Sequence, residues 1–421
     1  MVSPTPPTGV EAIFSAHAGR SVRAGDFCTV DIDLVMATDG NGPLAIRILK
    51  EELGANTVFD PDRVVLVIDH CGPSPSEGAA NLQKGMLDFA KHTGARIFAA
   101  GEGISHVLLP EQRLARPGML VLGSDSHTVT YGAVNCVGLG MGSTDIAVAM
   151  RTGRAWVRVP ETVRVDLTGR LRPGVLAKDV ALHLVRLIGV DGATYCSLEI
   201  AGEGLAGLTM EGRLTIANMA IEAGAKCTLM PCDAVCQSFV GEAAAVNAVL
   251  LPDDARFRVK YEVCLDDVET LVAPPHDLTR IDHIDGFTGT AIDMAFIGTC
   301  TNGRLEDLRA AARVLEGHKV APGLRLIVTP GSRQIYLNAL REGLIDIFIE
   351  AGAIVTPPGC GPCVGTHMGV PADGDVVIST ANRNFKGRMG NARASVFLAS
   401  PSVVAASAIA GAIAALQEVG T

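Results

Sequence analysis

Short apolar runs ending in polar, glycine-rich loops recur along this chain. VVLVID (64–69), RIFAAG (96–101) and MLVLGSDS (119–126) read as buried strands, with polar residues at their carboxyl ends as in a parallel sheet. GSTDIAVAMRTGRAW (142–156) reads as a helix with Ser143 or Thr144 as its cap. TVRVDLTG (162–169) opens a new alternating strand, which predicts a boundary near 161. TIANMAIEAGAK (215–226) is helical and leads into a glycine turn. PPHDLTRIDHIDG (274–286) is a Pro- and Asp-rich connector that marks a second boundary. IDMAFIGTC (292–300), LRLIVTP (324–330) and DVVIST (375–380) begin and continue a third α/β region. The pattern predicts layered α/β domains over 1–161, 162–285 and 286–421. No short-period repeat is present, which disfavours a solenoid.

Composition narrows the partners. The 421 residues are 48% hydrophobic and only 4% aromatic, with 47 glycines, as layered α/β folds require. A net charge of -10 argues against nucleic acid or an anionic membrane, though local arginines still suit an anionic substrate. MVSPTPPTGVEAIF lacks the basic-then-apolar pattern of a signal peptide. The Ala-rich stretch SPSVVAASAIAGAIAAL is short for a membrane span and reads as a buried helix. Eleven irregularly spaced cysteines fit a reducing cytoplasm rather than a disulfide framework.

Three cysteines carry the strongest chemical signal. Cys360 and Cys363 in PPGCGPCVG can turn two thiolates toward one metal centre, and Cys300 in IGTCTNGR would join from another strand end. Three thiolates suit a [4Fe-4S] cluster with one iron left open as a Lewis acid. Zinc is the rival, with His367 or Cys71 as a fourth ligand; Cys227, Cys232 and Cys236 are a second zinc possibility or incidental buried thiols. Asp69-His70, His106, Asp125 with His127, and Glu222 offer carboxylates to imidazoles, the combination that holds a proton for a leaving hydroxyl. NRNFKGRMG (382–390) supplies Asn382, Arg383, Asn384 and Arg388, and arginine forks fit carboxylates. Asn302 and Arg304 can bond cluster sulfurs or close the pocket. GLGMGSTD lacks the spacing and the lysine of a nucleotide loop.

GEGISH, GSDSHTVTYGA, MEGRLTIANMAIEAGAK, CTNGR, GCGPCVG and NRNFKGRMG together resemble the aconitase superfamily, and most of all its large subunits of the 3-isopropylmalate dehydratase and homoaconitase type. The resemblance covers nearly the whole chain. It implies three-layer α/β/α domains around a central iron–sulfur site, without the swivelling fourth domain. It makes Cys300, Cys360 and Cys363 the ligands of one [4Fe-4S] cluster with one iron not held by protein. It pairs Asp69 with His70, Asp125 with His106 and Glu222 with His127. Asn218, Asn382, Arg383 and Arg388 would line the pocket, with Asp39 and Asn41 of TDGNGP in an N-terminal active-site loop. The implied reaction is dehydration and rehydration of a malate-type hydroxyacid, completed by a small swivel-domain subunit that brings a serine base. Thr38, Cys71, Val107 and Thr299 depart from the commoner pattern, so homoaconitate, citramalate/methylmalate and dimethylmalate chemistry stay open. A non-catalytic scaffold and a zinc hydrolase are the competing classes. Retained histidines and arginines disfavour the first, and a missing His/Asp ligand pattern the second.

Overall fold

The computed structural model describes residues 5–416. Three parallel sheets organise them. The first is centred on Leu34–Thr38. From there the chain winds outward through Val64–Val67 and Arg96–Phe98, then returns to the other flank with Leu120–Gly123 and Val137–Gly140. Val35 pairs with Val64 on one side and with Leu122 on the other. Every residue of Leu34–Thr38, Val64–Val67 and Leu120–Gly123 is buried, because helices cover both faces.

The third sheet repeats this winding. Met294–Ile297 is central, Arg325–Val328 and Ile354–Val355 lie to one side, and Val376–Ser379 and Ser395–Leu398 to the other. So two sheets share one topology without sharing a sequence period. The sheet between them in sequence has four strands, with Glu161–Thr168 flanked by Cys196–Ala201 and Val259–Cys264, and Cys227–Leu229 at its edge.

Where successive crossovers leave in opposite directions, the loops at the carboxyl ends of two neighbouring strands part and open a crevice. In the first sheet those strands end at Asp39 and at Ser124-Asp125. In the third they end near Cys300 and at Asn382. The topology therefore delivers polar residues from distant parts of the chain to two crevice mouths.

Two expectations need correction. The helix predicted over 142–156 is Ser143–Thr152. Gly153 closes it in the left-handed region at φ 70, and Arg154–Arg158 is a strand pairing antiparallel with Phe27–Asp31. The Ala- and Met-rich stretch disguised this switch of period. Neither Ser143 nor Thr144 caps the helix; Gly142 occupies that place without a side-chain bond. Second, the helix predicted over 215–226 ends with Met210–Met219 and tightens into a 3-10 turn over Ala220–Ala223, so Glu222 lies on that turn.

Close backbone approaches seat the Ser126–Val134 turn. A Cβ on Gly132 would lie 2.3 Å from the Thr228 carbonyl oxygen, and one on Gly138 would lie 2.0 Å from that of Thr128. The C-terminal Pro401–Ala410 helix is buried over most of its length and packs in the core of the third sheet. Among the described residues no helix is long and apolar enough to cross a membrane.

Candidate active site

Asp39 follows the central strand of the first sheet and organises its neighbour's loop. Its Oδ1 accepts from the backbone N–H groups of Asp69 (3.2 Å) and His70 (2.9 Å). Its Oδ2 accepts from the Cys71 N–H (3.1 Å) and from Gln83 Nε2 (3.1 Å). Both oxygens are thus occupied by protein, and Asp39 anchors the loop. Asn41 Nδ2 donates to the Ser124 carbonyl over 2.9 Å, tying the two mouths of the same crevice.

His70 donates from Nδ1 to Asp69 Oδ1 over 2.6 Å, while Asp69 Oδ2 accepts from the Ser105 N–H at 2.8 Å. On the other edge of the ring, His70 Nε2 lies 3.7 Å from Asp125 Oδ2. Burial works against charging His70, but the negative charges of Asp69 and Asp125 and the bond to Asp69 outweigh it, so its pKa stands well above the ordinary histidine value. Burial likewise opposes ionised Asp125. The bonds from His106 and His127, with His70 close by, prevail and hold its carboxyl well below the usual range.

Asp125 is the hub of three imidazoles. Its Oδ1 faces His106 Nε2 at 2.8 Å and accepts from the His127 N–H at 2.7 Å. His106 Nδ1 lies 3.3 Å from the Tyr131 hydroxyl. His127 sits between carboxylates, with Nδ1 3.3 Å from Asp125 Oδ1 and Nε2 3.1 Å from Glu222 Oε1. The same Glu222 oxygen accepts from Arg383 Nε over 2.8 Å. The 3-10 turn aims Glu222 inward, so one carboxylate joins the 127 and 383 loops.

The cysteines lie beside this cluster, and all three are buried. Asn218 Nδ2 donates to Cys300 Sγ at 3.2 Å and Asn382 Nδ2 to the same sulfur at 3.4 Å. Arg388 Nη2 donates to Cys363 Sγ at 3.4 Å, while its Nε is buried without a partner. Burial pushes the Cys300 thiol up to about 12 and the Cys360 thiol well above its ordinary value. Among the described residues, the one group of three potential metal-ligand atoms within 4.8 Å of one another is Asp69, His70 and Cys360. In that group Asp69 and His70 already satisfy each other. The three sulfurs do not draw together to that spacing, although thiolates on one tetrahedral zinc would stand roughly 4 Å apart.

Other residues fall elsewhere than expected. Asn302 Nδ2 donates to Asp307 Oδ1 at 2.9 Å, and Arg304 Nη1 to the Thr301 carbonyl at 2.8 Å. Both brace the turn behind Cys300. His367 Nε2 donates to the His70 carbonyl at 2.7 Å, and Asn384 Nδ2 donates to the carbonyls of Pro274 and Val396. Cys227 and Cys236 belong to two different cores, and burial lifts both thiols, Cys227 to about 12. Sequence reasoning missed Gln83, Thr130 and Thr301. Thr301 Oγ1 donates to Asn218 Oδ1 at 2.9 Å, and Asn218 Nδ2 donates to Thr130 Oγ1 at 2.9 Å, orienting the amide that meets Cys300. Thr130 and Thr301 stand inside GSDSHTVTYGA and CTNGR, next to residues of stronger chemical signal.

Known proteins match this chain over nearly its whole length. The model of the aconitase family (aconitate hydratase) matches residues 11–280 and 276–411. The 3-isopropylmalate dehydratase large subunit 1 of Thermotoga maritima is 47% identical over 409 residues, covering 96% of this chain and 97% of the relative. Large subunit 2 of Archaeoglobus fulgidus is 48% identical over 414 residues, covering 98% and 99%. The homoaconitase large subunit of Thermus thermophilus is 47% identical over 406 residues, covering 96% of each. The holo-form crystal structure of Thermococcus kodakaraensis aconitase X shares the fold at a TM-score of 0.56 and 15% identity, covering 90% of each chain. The chain belongs to the aconitase family and is one of its hydro-lyases.

Proposed function

We propose that this chain is the large subunit of a 3-isopropylmalate dehydratase-type isomerase, which removes and re-adds water on a malate-type acid. Cys300, Cys360 and Cys363 would hold its [4Fe-4S] cluster. The donor set fits such a group better than a lone ion. The sulfurs are buried, spaced too widely for one tetrahedral metal, and met by N–H donors from Asn218, Asn382 and Arg388. Burial raises the thiol pKa values of Cys300 and Cys360, so a strong neighbouring cation is needed to make these two thiolates. When bound, the cluster supplies a Lewis acid for the substrate's oxygens through the iron that no cysteine holds.

The remaining chemistry belongs to side chains. Asp69 fixes the His70 proton at Nδ1 and keeps the ring charged, so Nε2 gives its proton to the departing hydroxyl. Asp125 orients His106 and His127 around the same spot. Arg388 and Arg383 present guanidinium forks to substrate carboxylates, Arg383 with its Nε held by Glu222. A small swivel-domain subunit would cover the crevice, bring the base for the adjacent carbon and read the substituent. The reading also takes 1–161, 162–285 and 286–421 as the domains, each with one parallel sheet, and places the chain and its eleven free thiols in the cytoplasm.

The observation that carries this function is the pair of amides, Asn218 and Asn382, aimed at one buried sulfur beside three carboxylate-held imidazoles. A second substrate, homoaconitate, is kept in view by the Thermus thermophilus relative, a homoaconitase large subunit that matches at 47%. The test combines the anaerobically prepared chain with a matching small subunit. Alkene formation is followed with 3-isopropylmalate, homocitrate, citramalate and dimethylmalate. Preference for 3-isopropylmalate supports the proposal. Preference for homocitrate moves the chain to the second reading, and no dehydration by a cluster-loaded complex refutes both.

A further inference from the structure

Lys178 has no part in the chemistry above, yet it is fully buried on the Ala177–Ile188 helix of the middle region. Its ammonium donates to the carbonyls of Thr380 (3.0 Å) and Ala381 (2.7 Å), and lies 3.8 Å from Met219 Sδ. No carboxylate lies within ion-pairing distance of Nζ among the described residues. A buried ammonium without a carboxylate partner is costly, so its retention needs a compensating source of negative potential.

That source is at the crevice. Thr380 and Ala381 are the residues between the Val376–Ser379 strand and Asn382. Thr380 Oγ1 also accepts from the Gly298 N–H (2.9 Å) and donates to its carbonyl (3.1 Å), binding this strand end to the one that carries Cys300. From this turn Asn382 reaches the Cys300 sulfur and Arg383 reaches Glu222. Burial lowers the Lys178 pKa to about 8, and the negative charges of Asp307, Glu222 and Cys300 oppose that fall.

We propose that Lys178 is a positioning residue for the reaction: it ties the Thr380 and Ala381 carbonyls to the middle helix and sets where Asn382 meets the Cys300 sulfur and Arg383 meets Glu222. This inference rests on reading Cys300, Cys360 and Cys363 as cluster ligands.

The test compares cluster-loaded wild type, Lys178→Met and Lys178→Gln, each with the small subunit. Met keeps the length and apolar stem but removes charge and donors; Gln keeps a donor without charge. Lys178→Met is expected to lower kcat/KM by about 10–100-fold, the usual effect of losing support behind a metal ligand. It is also expected to move the cluster's reduction potential, titrated by electron paramagnetic resonance, to a more negative value, because net charge and N–H···S bonds set it. Lys178→Gln is expected between the two. A purely structural lysine would change stability and leave the potential alone. Loaded variants with wild-type potential and kcat/KM within twofold of wild type overturn the proposal. So does failure of both variants to hold a cluster while Asn382→Ala holds one, because Lys178 is then a folding residue. A wild-type protein without cluster absorbance refutes the ligand reading instead, separately from the role of Lys178.

Discussion

The backbone N–H of Cys360 donates to the Asp69 carbonyl over 2.9 Å. Residues from opposite ends of the chain, one expected to hold the cluster and the other a proton-handling imidazole, thereby share one backbone bond. Thr366 Oγ1 (3.1 Å) and His367 Nε2 (2.7 Å) extend the seam, both donating to the His70 carbonyl. His367→Phe removes the shorter of these. It should lower kcat about tenfold with iron content unchanged, since it disturbs a supporting contact and no ligand. Paired kcat and iron assays check this; loss of iron in the variant would give His367 a ligand's part.

Asp39 was expected among the substrate contacts, but protein donors occupy both of its oxygens. Asp39→Ala leaves the amides of Asp69, His70 and Cys71 short of an acceptor. Each buried unsatisfied donor costs about 1–3 kcal/mol, and water refilling part of the space makes a total near 3 kcal/mol reasonable. The expected outcome is a large drop in denaturant midpoint. A variant of unchanged stability with a raised KM would return Asp39 to the substrate.

Gly132 has no room for a methyl group, which would meet the Thr228 carbonyl oxygen at 2.3 Å and its carbonyl carbon at 2.4 Å. These are backbone atoms of a buried strand and cannot swing aside. Gly132→Ala should cost about 3 kcal/mol and displace the turn that carries His127 and Thr130. Equilibrium unfolding and activity measured together check it; a variant of wild-type stability would show that the turn yields.

The His17–Asp33 pair, 2.6 Å apart, makes stability depend on pH away from the active site. Burial opposes both charges. The bond between the partners outweighs it, leaving the Asp33 pKa lowered and the His17 pKa raised. The Asp33 contribution is complete above its unfolded value of about 4 and is lost as pH falls through the lower folded value. The His17 contribution is complete below about 6.5 and is lost as pH rises through the higher folded value. His17→Gln should therefore destabilise most near pH 5.5 and least at alkaline pH. Urea midpoints of both proteins at the two pH values measure the difference, and a constant difference would contradict the pair's assigned charges.

Much of the fold was legible because parallel strands buried on both faces leave apolar runs, and VVLVID, MLVLGSDS and DVVIST are such runs. Arg154–Arg158 was hidden because a short antiparallel ribbon with one exposed face follows directly on a helix of similar composition. Cys300, Cys360 and Cys363 announced themselves by residue type and glycine setting. The work of Asp39, Thr301 and Lys178 did not, since an anchor, an amide-orienting hydroxyl and a buried ammonium depend on partners up to about two hundred positions away, as the Lys178–Ala381 bond shows. Glu222 was visible as a residue, but only the 3-10 turn after Met219 explains its inward aim.

Iron and inorganic sulfide measured per chain, in protein prepared without oxygen, test the central claim most directly. Wild type should contain the two in equal amounts, enough for one cubane per chain, with visible absorbance that disappears in Cys363→Ser. Colourless wild-type protein holding one zinc and no sulfide would contradict it.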